Sequence, residues 1–196
     1  MTLLARRRAF MCLAAGTAAF AVTSPALAGD AGKLIQDVST EVINLIKTTN
    51  GATREAGIRK VLETNFDLSF MGRSALATYW DQTNEQQRER FLKAAIAAEA
   101  KAYSERFGQY GGQTLTIGKV VQRAGGVEVV ESRLNQANGQ PIKIDWEVRN
   151  DRITDVKIEG VSMVATRRSD YKSYISNNGN KVEALIAELE SRAKAQ

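Results

Sequence analysis

The chain of 196 residues has no histidine, and its one cysteine, Cys12, lies in the first apolar run. Without histidine there is no Ser-His-Asp triad and no imidazole base. A single cysteine cannot close a disulfide within the chain, and zinc sites of the Cys/His type are excluded with it. Only two prolines occur, Pro25 and Pro141, so no proline-rich linker divides the chain, and no repeat or low-complexity segment does so either. Of the ordinary catalytic groups, the carboxylates remain.

Residues 1–28 read as a cleaved signal peptide. Arg6, Arg7 and Arg8 form a basic start, Phe10 to Val22 is an alanine-rich apolar run, and Ala26-Leu27-Ala28 is a small-x-small cleavage site. The run is too short for a transmembrane helix, which weighs against an uncleaved anchor. Arg7-Arg8-Ala9-Phe10-Met11 also looks like a twin-arginine signal, so export runs by that route or by the general secretory one. Cys12 lacks the lipobox of a lipoprotein and leaves with the leader.

Removing the leader changes the charge argument. Of 27 Lys and Arg, three arginines go with it, leaving 24 against 22 Asp and Glu, a balance of +2. The basic character of the full chain is largely that of its leader, and no nucleic-acid partner is expected. Residues 29–196 suffice for one domain with a sizeable core.

Along that domain, Leu34, Val38, Val42 and Leu45 recur at helical spacing until Asn50-Gly51. A second helix is expected after Thr53, burying Ile58, Val61 and Leu62. A third is expected from Asp67, which serves as N-cap, with Phe66 and Met71 as a hydrophobic staple, and it carries Leu68, Met71, Leu76 and Tyr79 before Trp80. Thr83 to Gln86 reads as a capping box opening a long helix. Its stripe is Leu92, Ile96, Ala100, Tyr103, Phe107 and Tyr110, and Gly111-Gly112 ends it. The period then changes from 3.6 to 2. Strands are expected over 114–122, 127–134, 142–149 and 152–159, an antiparallel meander with turns at 123–126, Asn138-Gly139 and Asn150-Asp151. The third strand alternates Ile142, Ile144, Trp146 and Val148 against Lys143, Asp145, Glu147 and Arg149, so one face is apolar and one wet. Residues 161–166 are apolar without a clear period, and helices follow over 169–177 and from Asn180 onward. The order predicts α+β, a helical layer packed on a four-stranded antiparallel sheet.

Asp145 and Glu147 share a strand face, as a glycosidase pair would. Lysine and arginine interleave them, which is the pattern of a solvated, cross-strand-paired surface instead. Gly108, Gly111 and Gly112 follow a helix and do not open one after a strand, so they form no phosphate cradle. The aromatic residues are the surplus. Tyr79, Trp80, Phe91, Tyr103, Phe107, Tyr110 and Trp146 are many rings for one small domain. Any one of them reads most simply as core. As a set they suit the walls of an apolar cavity able to hold acyl chains. Arg167-Arg168 suits either its mouth, where a phosphate would sit, or a solvated turn.

Phe66-Asp67, Met71-Gly72-Arg73, Tyr79-Trp80, Thr83, Gln87-Arg88 and Phe91 resemble the helical half of the MlaC, or toluene-tolerance, family. Asp155-Val-Lys-Ile-Glu-Gly-Val-Ser-Met163 is similar to that family's D-V-x-I-E-G-V-S-[LM] run. The matches span residues 66–171 in the same order. Where the family usually shows N-Y-R, this chain has Thr166-Arg167-Arg168, and Asp151 and Thr154 replace a tryptophan and a tyrosine. The segment from Thr166 to Tyr171 resembles the HpnM branch, associated with hopanoid biosynthesis.

The resemblance implies a periplasmic phospholipid carrier with a cone like that of nuclear transport factors and a lipid-binding cavity between helices and sheet. It implies as partners an inner-membrane ABC transporter of the Mla type and an outer-membrane lipoprotein of the MlaA type. Neither cofactor nor metal is expected, the protein should be no enzyme, and a monomer is expected. Tyr79, Phe91, Tyr103, Phe107, Ile144, Trp146, Val148, Met163 and Val164 are the expected lipid-binding residues, with Arg167 as a head-group contact. A hopanoid carrier, a periplasmic hydrolase and a purely structural adaptor are the alternatives.

Overall fold

A computed structural model describes residues 30–108, 110–136 and 139–194. The leader lies outside them, as does Asn138 of the expected Asn138-Gly139 turn. Four helices come first: α1 (Asp30–Thr48), α2 (Gly51–Asn65), α3 (Leu68–Leu76) and α4 (Glu85–Phe107). Strands β1 (Thr114–Arg123), β2 (Val127–Asn135), β3 (Ile142–Arg149) and β4 (Arg152–Ile158) follow. The short β5 (Val161–Ser162), then α5 (Met163–Asn177) and α6 (Val182–Lys194), complete the chain. The architecture is α+β, and the five strands lie in sequence order in one antiparallel sheet.

Among the described residues the sheet therefore has five strands and not four. Residues 161–162 turn back to pair Val161 with Ile158 and Ser162 with Lys157. The apolar run without a clear period is a strand only two residues long leading straight into a helix, so neither period had room to show. Asn150 and Asp151 both adopt positive φ, 49° and 57°, the backbone of a tight hairpin turn. Bulges between Ile117 and Val120 and between Glu147 and Val148 break the ladders, and such bulges bend a sheet.

Asp67 caps α3, accepting from Phe70 N at 3.0 Å. The capping box of α4 sits one residue later than the sequence pattern puts it. Asn84 Oδ1 accepts from Gln87 N at 2.8 Å, and Asn84 N donates to Gln87 Oε1 at 3.2 Å. Thr83 is otherwise engaged: its hydroxyl donates to Trp80 O, and Arg88 Nε donates to that hydroxyl at 3.1 Å. The Arg88 guanidinium also lies 5.1 Å from the Trp80 ring centroid. Trp80, Thr83 and Arg88 thus lock the corner between α3 and α4. That corner is a 3₁₀ turn, Ala77–Gln82, where the sequence suggests that α3 continues to Tyr79.

Other boundaries move as well. Helix α2 starts at Gly51, α4 ends at Phe107 before Gly108, and α6 begins at Val182. Helix α5 begins at Met163, six residues before the expected start. Ser162 Oγ accepts from Ala165 N at 3.0 Å, and the buried Asp155 Oδ1 accepts from Val164 N at 3.1 Å. Two side chains thereby satisfy backbone donors that a helix N-terminus leaves unpaired.

Two apolar clusters form. One joins α1 and α2 to the inner face of the sheet through Ile35, Val38, Val61, Phe66, Val130, Val148 and Ile153. The other joins α3, α4, α5 and α6 through Leu76, Phe91, Tyr171, Ile175, Leu185 and Ile186. Residues of both clusters line the space between them.

Candidate functional site: an apolar cavity

That space is a cavity of about 570 Å³, within the range of about 300–1,000 Å³ usual for small-molecule sites. Its walls are overwhelmingly apolar. Helix α1 contributes Val42, Ile43 and Ile46; α2 contributes Ile58 and Leu62; α3 contributes Leu68, Met71 and Ala75. The sheet contributes Leu115, Leu134, Ile144, Trp146, Val156 and Ile158.

Strand alternation explains the sheet wall. Ile144 and Ile158 face each other, Trp146 pairs with Val156, and Val148 pairs with Ile153. Exposure falls along this series. Ile158 is 39% exposed at the rim, whereas Val148 and Ile153 are 1% and 0% exposed. Val148 therefore lies on the expected face but beneath the cavity floor, packed among α1, Phe66 and Val130, and is not among the lining residues. The Trp146 ring is held in place by its own hydrogen bond: Nε1 donates to Ser132 Oγ at 2.9 Å, and Ser132 donates to Ile144 O at 2.8 Å.

Helix α4 divides its surface between two tasks. Ala94, Ala97 and Ala100 are buried in packing, where α4 lies close to α2 and α6. Phe91, Leu92, Ile96, Glu99, Tyr103, Arg106 and Phe107 line the cavity instead. The Tyr103 and Phe107 rings stack with centroids 5.9 Å apart and planes at 21°. From α5 come Met163, Val164, Arg167 and Tyr171, the last meeting Phe91 edge-on at 5.7 Å.

Of the ten expected residues, eight line the cavity: Phe91, Tyr103, Phe107, Ile144, Trp146, Met163, Val164 and Arg167. Tyr79 does not. It stands in the 3₁₀ turn outside the cavity, with its hydroxyl 3.4 Å from Ser176 Oγ and Asn180 Oδ1 at the α5–α6 connection.

Arg167 lines the cavity with its charge already matched. Its Nη2 donates to Glu99 Oε2 at 3.0 Å, its Nε donates to Glu99 Oε1, and Asp170 lies 3.3 Å from Nη1. The paired Glu99 holds the guanidinium further above its ordinary value. Arg168 points elsewhere, donating to Ser74 O at 2.7 Å and tying α5 to α3. Arg106 is the second guanidinium on the lining. It is exposed at the rim, 5.9 Å from the Tyr103 ring centroid, with no carboxylate partner among the described residues.

Glu99 and Arg106 are the charged lining residues missing from the expected set, which also leaves out Tyr171 and the walls supplied by α1, α2 and α3. The signal was there: Leu92, Ile96, Glu99, Tyr103, Arg106 and Tyr110 follow one another at steps of four and three. Charged residues in phase with an apolar stripe mark a wall that is something other than plain core. The sheet's outer face is the wet surface its pattern implied, with Lys143 2.9 Å from Asp145, Lys119 3.5 Å from Glu131, and Lys157 on Glu147. Asp145 and Glu147 are engaged with lysines on the face opposite the cavity.

The family model described as MlaC protein matches residues 36–191. The chain belongs to the MlaC family. Its fold is similar to that of a solved phospholipid-binding protein from Ralstonia solanacearum in complex with a phospholipid. The two are 19% identical with a TM-score of 0.71, over 84% of this chain and 97% of that one. No curated protein matches the chain. Within this MlaC-family chain, the residues that carry the resemblance divide between frame and site: Asp67, Trp80, Thr83, Gln87, Arg88 and Asp155 cap helices or lock corners. Phe66, Met71, Gly72, Phe91, Val156, Ile158 and Met163 reach the cavity itself.

Proposed function

We propose that this MlaC-family protein is a lipid-binding carrier with no catalytic step. The observation that carries the reading is the apolar cavity with a guanidinium at its rim, Arg106, that has no carboxylate partner among the described residues. Acyl chains leaving a bilayer would be shielded from water by the walls, each buried methylene contributing about 0.8 kcal/mol. Arg106 is placed to meet a head-group phosphate, a contact that Arg167, engaged by Glu99, serves less well. The phospholipid complex of the Ralstonia solanacearum protein supports this ligand class.

In this reading the protein works in the periplasm after export. It is the soluble component of an Mla-type system, moving phospholipid between an MlaA-type lipoprotein and an inner-membrane ABC transporter. The signal-peptide layout of residues 1–28 and the family membership support that placement, and no described helix is long and apolar enough to cross a membrane. The test is transfer of fluorescent phospholipid between donor and acceptor vesicles. Transfer that rises linearly with protein concentration supports a shuttle; no acceleration over the protein-free rate contradicts it.

A further inference from the structure

Within the apolar lining, four polar side chains form one cluster. Glu99 and Tyr103 lie one turn apart on α4, Arg167 and Tyr171 lie one turn apart on α5, and the Glu99–Arg167 pair joins the two helices. The carboxylate and guanidinium neutralise each other, so the cluster presents no net charge. Neither tyrosine hydroxyl has a hydrogen-bond partner among the described residues, yet neither oxygen is sealed from solvent-sized space. Burial pushes both hydroxyls above the ordinary tyrosine range, with Glu99 adding to the effect and Arg167 opposing it, so both stay neutral. Water can meet these hydroxyls in the empty cavity, but once a bound lipid excludes it, an unpaired polar group on an apolar wall is unfavourable unless the lipid itself meets it. The rings alone would serve a plain hydrocarbon ligand, and phenylalanine would do so without the penalty.

We propose that Tyr103 and Tyr171, flanking the Glu99–Arg167 pair, form an internal polar station that hydrogen-bonds an uncharged oxygen of the bound lipid, an ester carbonyl or a hydroxyl. The station is distinct from Arg106, which offers a positive charge at the rim. It selects lipids that carry oxygen at that depth over those that are hydrocarbon throughout. The inference rests on the carrier reading above.

The test loads the mature protein from vesicles containing equal amounts of dioleoyl phosphatidylglycerol and its di-ether counterpart, which lacks the carbonyls. A parallel set offers oleyl alcohol against 1-octadecene. Bound species are counted by native mass spectrometry for the wild type and for Tyr103→Phe, Tyr171→Phe and the double variant. The expected wild-type preference, for the diester over the di-ether or for the alcohol over the alkene, is about fivefold in at least one pair, the worth of one net hydrogen bond, and the double variant loses it. The diester pair responding identifies an ester as the partner; the alcohol pair responding identifies a hydroxyl. Binding of both members without preference overturns the station while leaving the carrier reading intact, as does a preference that survives in the double variant. Wild-type protein that takes up none of the four overturns both.

Discussion

The indole Nε1 of Trp146 donates to Ser132 Oγ at 2.9 Å, across two neighbouring strands that pair Ser132 with Ile144. This bond fixes a large ring at the junction between the sealed core below, at Val148, and the open cavity above, at Ile144. Trp146→Asp puts a carboxylate into that wall and is expected to abolish lipid retention while circular dichroism still reports the folded sheet. Loss of the fold instead would place Trp146 in the core. Ser132→Ala removes the acceptor and should lower stability in urea unfolding by about 1–3 kcal/mol.

The two cavity arginines should separate cleanly. Arg106→Ala removes an exposed cation and leaves stability within about 0.5 kcal/mol. It should weaken binding of an anionic phospholipid more than that of an uncharged diacylglycerol. Arg167→Ala leaves the half-buried Glu99 unmatched and should destabilise by on the order of 1–2 kcal/mol, discounted for partial exposure. Urea titration paired with vesicle binding distinguishes the two patterns.

Asp155 holds the α4-facing helix α5 in place through Val164 N at 3.1 Å and steadies its own strand through Val156 N at 2.9 Å. Asp155→Ala should cost about 1–2 kcal/mol, the usual range for a lost helix cap. The loss should be local first, read as faster amide exchange at Val164 and Ala165 than in α6. Uniform exchange across both helices would contradict the capping role.

Alkaline pH provides a further check. Tyr103 and Tyr171 are raised above the ordinary value of 10.0 mainly by burial. Below that value both hydroxyls are protonated in the folded and unfolded chain and add no slope. Above it the unfolded chain ionises first, so stability falls as pH rises from about 10 toward the folded-state values. Absorbance at the phenolate band should show these two tyrosines titrating after the exposed ones, and Tyr171→Phe should flatten the fall in stability.

Much of this architecture was legible because it rests on local signals. Alternation over Ile142 to Arg149 set the sheet's faces, Asn150-Asp151 its turn, and Asp67 the start of α3. What escaped was set by distance and context. Whether Val148 or Ile144 meets the cavity depends on how far α1 and α2 cover the sheet, which alternation does not encode. Tyr79 shares the aromatic character of Tyr103, but a 3₁₀ turn rotates it out toward Ser176. The start of α5 hid behind β5, since a two-residue strand has no period, and its capping partner Asp155 lies nine residues before Val164. Arg167 was visible as a charge, but Glu99, which occupies it, is 68 residues away.

Whether the space between the two apolar clusters is a lipid site is decided by what the purified protein carries. The direct measurement is native mass spectrometry of the protein expressed from its full sequence and purified without detergent, followed by organic extraction of what it carries. A discrete added mass that resolves into lipid is expected, phospholipid being the expected class and a hopanoid pointing to the other branch of the family. A clean mass of the protein alone, unchanged after incubation with phospholipid vesicles, would contradict the lipid site and favour a structural adaptor.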